Sequence, residues 1–356
     1  MIIKTRREEF GGIVFFEKPG FVCYVNNSMA NALGIKKNPD AHYVKDVFSS
    51  PLDAHFAVTT RCNMYCKGCY NTTRNDGNVD IDFEKAKRVI DNLADLNVLS
   101  VSFGGGEPTL YPEIIELAEY TRSKNILPNM TTNGLTMTED FAKRCRVFGN
   151  VHFSIHKPAD IDIAFNAARI YKKQTGKKAG LNLLLSSEII PLLENIVKRA
   201  NKSAFKKILF LRYKKTDKNS NITDLSADDK MTEVFEKIKA LSRKSRLMFL
   251  FDCSSMQELA YAKITSPKLL SRVDSNGCLG ANAYIAVDVN GEYKPCSFWY
   301  ETFGDAKKLS YDEWMTNEKL KSFREYKFSS DCENCEYSVV CNGGFRLNYL
   351  ECKVKN

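Results

Sequence analysis

The sequence predicts an α/β protein, a partial (β/α)6 TIM-like barrel with an N-terminal β-hairpin segment and a small cysteine-rich α+β domain at its C-terminal end. Three observations carry this. Between residues 54 and 214, short apolar runs alternate with amphipathic stretches, the pattern of βαβ units around a parallel sheet. The first fifty residues instead hold two strand-like runs broken by glycine and proline. Six of the twelve cysteines fall between residues 278 and 352.

In order along the chain, 10–16 and 20–26 read as a hairpin, with a short helix near 27–34. Together they form a segment at 1–50. The barrel occupies 51–250. Its strands are expected at 54–60, 98–104, 127–132, 150–155, 179–186 and 207–213, and its helices near 82–96, 111–124, 138–146, 160–174 and 189–202. Six such units give an incomplete barrel, with chemistry expected in loops at the carboxyl ends of the strands. Residues 228–244 read as one more helix and 246–251 as a further strand. A bridge rich in Ser and Lys at 263–276 leads into the last domain, 275–356. There Asn290-Gly291 turns a hairpin over 283–293, and a helical stretch follows at 309–326.

Length and composition bound the rest. A chain of 356 residues can bury a substantial core in two or three domains. Neither an apolar run of membrane-spanning length nor a signal-peptide core is present, so a cytoplasmic protein without a membrane partner is expected. The net charge of +9 comes from dispersed lysines with no nucleic-acid module beside them, and no nucleic-acid partner is expected. Twelve cysteines in such a chain argue for metal rather than disulfides. Cys23, Cys145 and Cys253 stand alone and read as small buried hydrophobes.

The richest motif is Cys62-x3-Cys66-x2-Cys69, directly after a predicted strand. Three thiolates on one loop can hold three irons of a 4Fe–4S cube and leave the fourth without a protein ligand. A structural zinc would need a fourth Cys or His, and none lies close in sequence. With Tyr70 after the third Cys, the motif resembles the radical S-adenosylmethionine (radical SAM) family. That resemblance implies SAM bound at the open iron, a 5′-deoxyadenosyl radical, the same six-unit barrel, and a reducing electron donor such as flavodoxin or ferredoxin.

It also implies roles for other residues. Gly105, Gly106 and Glu107, in the run Gly-Gly-Gly-Glu-Pro, resemble the family's Gly-Gly-Glu motif, which contacts the SAM amino group. Thr132, Asn133 and Ser154 match places where members hold the ribose and carboxylate, and Asn182 and Arg212 match less closely. His156 shares a strand face with Ser154, so it is a candidate to move a substrate proton; a hydrogen-bonded structural histidine is the competing reading.

At the C-terminal end, Cys278-x12-Gly291-x4-Cys296, then Cys332-x2-Cys335-x5-Cys341 and a distant Cys352, resemble the SPASM extension of radical SAM enzymes. That extension carries one or two auxiliary iron–sulfur clusters. The chain departs from the pattern at Phe345, where the family has a further cysteine. Two ligand sets stay open: Cys332, Cys335, Cys341 and Cys352 as a full site with Cys278 and Cys296 short of ligands, or Cys278, Cys296, Cys332 and Cys335 around one cluster, as in the shorter twitch relatives. Zinc also suits four thiolates. SPASM relatives mostly modify peptides or proteins, and the run Arg7 to Phe15 with Val25-Asn26 resembles a shortened N-terminal segment of peptide-maturing members, whose exposed strands could pair with a leader peptide; a hairpin that covers the barrel is the competing reading. The expected function is therefore a maturase of a ribosomally made peptide or protein side chain. The alternatives are action on a small-molecule cofactor or tetrapyrrole precursor, and a non-catalytic iron–sulfur electron carrier.

Overall fold

The structure, a computed structural model, describes residues 3–18, 20–69, 77–214, 229–255, 259, 277–324 and 335–341. Its first element is a three-stranded antiparallel sheet, β1 (Ile3–Glu8), β2 (Gly11–Phe16) and β3 (Phe21–Asn26), followed by α1 (Asn27–Ala32). The sequence suggested only the hairpin β2–β3. It concealed β1 because that strand buries charge instead of apolar surface. Lys4 donates to the Val98 carbonyl at 2.7 Å, and Arg6 reaches Glu8 at 2.7 Å and the carbonyls of Ser50 and Pro51.

The barrel follows: β4 (Asp53–Thr59), α2 (Phe83–Asp95), β5 (Ser100–Gly105), α3 (Ile114–Ser123), β6 (Leu127–Thr132), α4 (Glu139–Arg144), β7 (Val151–Ile155), α5 (Asp160–Thr175), β8 (Ala179–Leu184), α6 (Leu193–Asn201), β9 (Phe205–Leu211), α7 (Asp229–Ser242) and β10 (Met248–Phe251). The helices form where the spacing dictates. In α2 the buried residues are Ala86, Val89, Ile90 and Leu93, and in α6 Leu193, Ile196, Val197 and Ala200, each one face of a 3.6-residue period. Asp82 and Thr138 cap α2 and α4 by accepting from backbone N–H groups one turn on. Alternate strand residues such as Phe56, Phe103, Phe153 and Phe210 face outward into this helix layer and form the core.

Strands β4 to β10 are parallel. The C-terminal domain extends the same sheet. Its hairpin, β11 (Tyr284–Val287) and β12 (Glu292–Lys294), lays β11 parallel to β4, and β13 (Gly304–Asp305) pairs with β12. The described sheet thus runs β10-β9-β8-β7-β6-β5-β4-β11-β12-β13. The expected helix at 309–326 is two helices, α8 (Tyr311–Thr316) and α9 (Glu318–Arg324). Asn317 divides them, its side chain accepting from the Lys319 and Leu320 N–H groups. A last turn, α10 (Ser338–Cys341), carries Cys341.

The N-terminal sheet covers the foot of the barrel, where Ile13 and Phe15 pack on Leu99 and Leu127 at the starts of β5 and β6. Trp314 of α8 reaches the same end; it is wholly buried and donates from Nε1 to the Phe48 carbonyl at 3.0 Å. Trp314→Ala is expected to cost about 3–5 kcal/mol, seen as a lower denaturation midpoint. A midpoint unchanged from wild type would show that this anchor contributes nothing.

Candidate functional site

Beyond β4 the chain turns over the carboxyl end of the sheet into the loop of Cys62, Cys66 and Cys69. Contacts to three strand ends fix this loop. From the end of β5, the Gly106 N–H donates to the Thr59 carbonyl at 2.8 Å and the Glu107 N–H to the Arg61 carbonyl at 2.7 Å. From β6, Asn133 Nδ2 donates to Asn63 Oδ1 at 2.7 Å. From β7, His156 Nδ1 lies 3.3 Å from Cys66 Sγ. Arg61 is itself held by both oxygens of Asp80, at 3.0 and 2.5 Å.

Cys62 and Cys69 are exposed and Cys66 is half-buried. The Cys66 thiol is pushed up to about 12, by burial first and then by Cys69, Asp160 and Cys62 around it. Three neighbouring thiols on one loop fit a cube that takes one thiolate at each of three irons, and loading it displaces their protons. Among the described residues no three Cys, His, Asp or Glu side chains gather as a site for a single metal ion.

Glu107 is 2% exposed. Its Oε1 accepts from Thr109 N (3.2 Å), Thr109 Oγ1 (2.7 Å) and Thr132 Oγ1 (2.7 Å), and its Oε2 from Asn133 N (2.8 Å). Burial raises its pKa against the opposing pull of these hydrogen bonds. Glu107 therefore caps the turn after β5 and also positions Asn133 at the end of β6. Oε2 keeps a lone pair for one further donor.

The glycines divide the work differently from the expectation. A Cβ on Gly106 would lie 2.1 Å from the Arg61 carbonyl oxygen, and one on Gly105 2.3 Å from that of Thr59. Both serve close backbone approach to the cysteine loop. Gly104, which sequence reasoning passed over, has nothing within 4 Å of a Cβ and leaves the inner wall open. Its signal was parity: Val101 and Phe103 face the core, so Gly104 faces inward. The same parity places Thr132 outward, its hydroxyl donating to Glu107 and accepting from the Gly134 N–H, while Thr131 is exposed on the inner side.

Ser154 and His156 lie on one face, as expected, with His152 below them. Asn182 is on the inner face too, but its Oδ1 is 2.7 Å from His152 Nδ1. Arg212 is buried one residue past β9. Asp160, also missed, accepts from the His156 and Lys157 N–H groups at 3.0 and 3.1 Å and so fixes His156 beside Cys66.

Of the C-terminal cysteines, Cys278 and Cys296 are fully buried beside the hairpin and Cys341 is nearly so. Cys335 is half-buried; Cys332, Cys352 and Phe345 lie outside the described residues, as does Tyr70. The three isolated cysteines behave differently from one another. Cys145 is in the core as expected, Cys23 is exposed on β3, and Cys253 stands beside Cys278.

Comparison with known proteins places these features. Residues 56–185 match the family model for the radical SAM superfamily, and residues 278–336 match that of SPASM, an iron–sulfur cluster-binding domain. An AdoMet-dependent heme synthase of Nitratidesulfovibrio vulgaris is 23% identical over 312 residues, 80% of this chain and 85% of its own. Mycofactocin maturase MftC of Mycolicibacterium smegmatis is 20% identical over 320 residues, 83% of this chain and 78% of its own. The crystal structure of Streptococcus suis SuiB bound to precursor peptide SuiA shares the fold, with a TM-score of 0.76 at 18% identity over 97% of this chain and 94% of that one. Among the described residues no helix is long and apolar enough to cross a membrane.

Proposed function

The chain is a radical SAM enzyme with a C-terminal SPASM domain, and from that premise we propose that it matures a ribosomally made peptide or a protein side chain. Its 4Fe–4S cube and SAM, when bound and reduced, supply a 5′-deoxyadenosyl radical. Being an enzyme, it is not a bare electron carrier. A reducing donor such as flavodoxin or ferredoxin is part of this reading.

Strand β3 is the observation that carries it. Among the described residues this is an outer strand of the N-terminal sheet, and Phe21, Val22 and Tyr24 are 44%, 36% and 42% exposed. Beside them Met29 and Leu33, on and just after α1, are 51% and 54% exposed. Unpaired edges are ordinarily blunted by charge or proline, and an apolar one is suited to receive an added strand. The SuiB fold and the MftC relative support the same reading.

The sheet lies at the foot of the barrel and the cysteine loop at its mouth. A strand of six residues separates the two ends, about 20 Å at 3.3 Å per residue. A bound peptide then needs roughly six or more extended residues between its recognition segment and its modified residue.

At the mouth, Glu107, Asn133, Ser154 and the open wall at Gly104 make up the SAM site in this reading. Arg212 remains a candidate for the SAM carboxylate. His156, on the Cys66 sulfur, acts as a positioning residue for the cluster loop.

The test mixes reduced enzyme, SAM and the small peptides encoded beside its gene. A changed peptide mass is expected, and peptides that never change mass would count against the proposal. Val22→Lys with Tyr24→Lys is expected to weaken peptide binding about tenfold or more, roughly 1.4 kcal/mol, and to leave peptide-independent SAM cleavage unaltered. The heme synthase similarity supports a second reading, a tetrapyrrole substrate. A change in porphyrin absorption with no peptide product would favour it.

A further inference from the structure

Cys253 lies outside the SPASM match and fits no spacing in it. It follows β10, one edge of the described sheet, whereas Cys278 precedes β11, the strand on the far side of β4. The two ends meet: Lys214 pairs with Asp252, next to Cys253, and lies over the ring of Phe298, two residues past Cys296. The neighbouring Cys278 thiol and burial push the Cys253 thiol well up, and the buried Tyr284 hydroxyl is raised by burial and by Cys296, Cys253 and Cys278.

The surroundings suit a sulfur-ligated anion. The Tyr284 hydroxyl is 3.4 Å from Cys296 Sγ, and the Phe298 N–H donates to the same sulfur at 3.5 Å. Lys214, paired with Asp252 at 2.7 Å, lies over the Phe298 ring at 4.2 Å and brings a buried positive charge to the group. N–H and O–H donors to sulfur, together with burial, are the means by which proteins tune iron–sulfur centres. Gly280 keeps the wall close; a Cβ there would meet the Pro295 carbonyl at 2.8 Å and Cys296 Cβ at 3.2 Å.

We propose that Cys253, Cys278 and Cys296 together supply three thiolates to one auxiliary iron–sulfur cluster. Cys253 thereby takes up the ligand duty that the family pattern assigns to the position of Phe345. The cluster fastens the chain leaving β10 to the chain entering β11, closing the open side of the barrel.

Iron and acid-labile sulfide are counted in anaerobically reconstituted Cys253→Ala, wild type and Cys23→Ala. Cys253→Ala is expected to hold about four irons and four sulfides fewer than wild type, with the SAM-responsive spectrum of the reduced protein retained. Cys23→Ala should match wild type. Full iron and sulfide in Cys253→Ala would overturn the assignment. Should that variant fail to fold, native wild type is alkylated before and after chelation of its iron. Cys253 is expected to react faster after chelation; an equal rate in both states would equally overturn the proposal.

Discussion

Gly106→Ala is expected to strip the iron from the Cys62, Cys66 and Cys69 loop of a barrel that otherwise folds. The added methyl would lie 2.1 Å from the Arg61 carbonyl oxygen and 2.8 Å from that of Thr60. Both obstacles are backbone, so no side chain can rotate away. The loop must retreat by about 1 Å, an overpacking cost of about 1–3 kcal/mol or more. Retreat also breaks the Gly106-to-Thr59 and Glu107-to-Arg61 hydrogen bonds, each worth about 0.5–1.5 kcal/mol.

The measurements are iron content, about four irons lower, and 5′-deoxyadenosine production, at background. A variant with full iron and normal SAM cleavage would show that the loop tolerates displacement. Gly104→Ala is the companion experiment. With no atom within 4 Å of its Cβ, it should fold and load iron normally. Its methyl enters the inner wall, and the KM for SAM is expected to rise about tenfold. An unchanged KM would remove that wall from the SAM site.

This pair marks where sequence reasoning stopped. The six βα units were legible because each strand is a continuous apolar run and each helix keeps its buried spacing, as at Ala86, Val89, Ile90 and Leu93. The cysteine loop was legible because its three thiols lie close together in sequence. Roles set by register were less so. Gly-Gly-Gly-Glu marks a turn after a strand and parity points Gly104 inward, but the approach of the β4 end to the β5 end shows that Gly105 and Gly106 meet backbone. Strand β1 was hidden because its charged residues bury by reaching carbonyls far along the chain.

Glu107→Ala should be the most destabilising single truncation in the proposed SAM site, and Glu107→Gln should separate its observed capping role from its proposed SAM contact. Alanine removes the acceptor of four hydrogen bonds, leaving donors on Thr109, Thr132 and Asn133 buried or half-buried without it. Each unsatisfied buried donor costs about 1–3 kcal/mol, so a loss of roughly 3–5 kcal/mol is expected in denaturant unfolding. Glutamine keeps the volume and one carbonyl but presents an NH2 group either to the Asn133 N–H or to the threonine hydroxyls. In the proposed site it also removes the negative charge that Glu107 would offer the SAM ammonium. Losing a charge-assisted hydrogen bond of about 1.5–3 kcal/mol should weaken SAM binding roughly tenfold to a hundredfold. The pH dependence discriminates further. Burial raises the Glu107 pKa in the folded protein, so its charge is lost on acidification at a higher pH than for an ordinary glutamate. The kcat/KM for SAM, which reports the free enzyme, should fall on the acid side above the usual carboxylate range, and that limb should vanish in Glu107→Gln. A glutamine variant that keeps both the affinity and the acid limb would reduce Glu107 to a cap on the turn after β5.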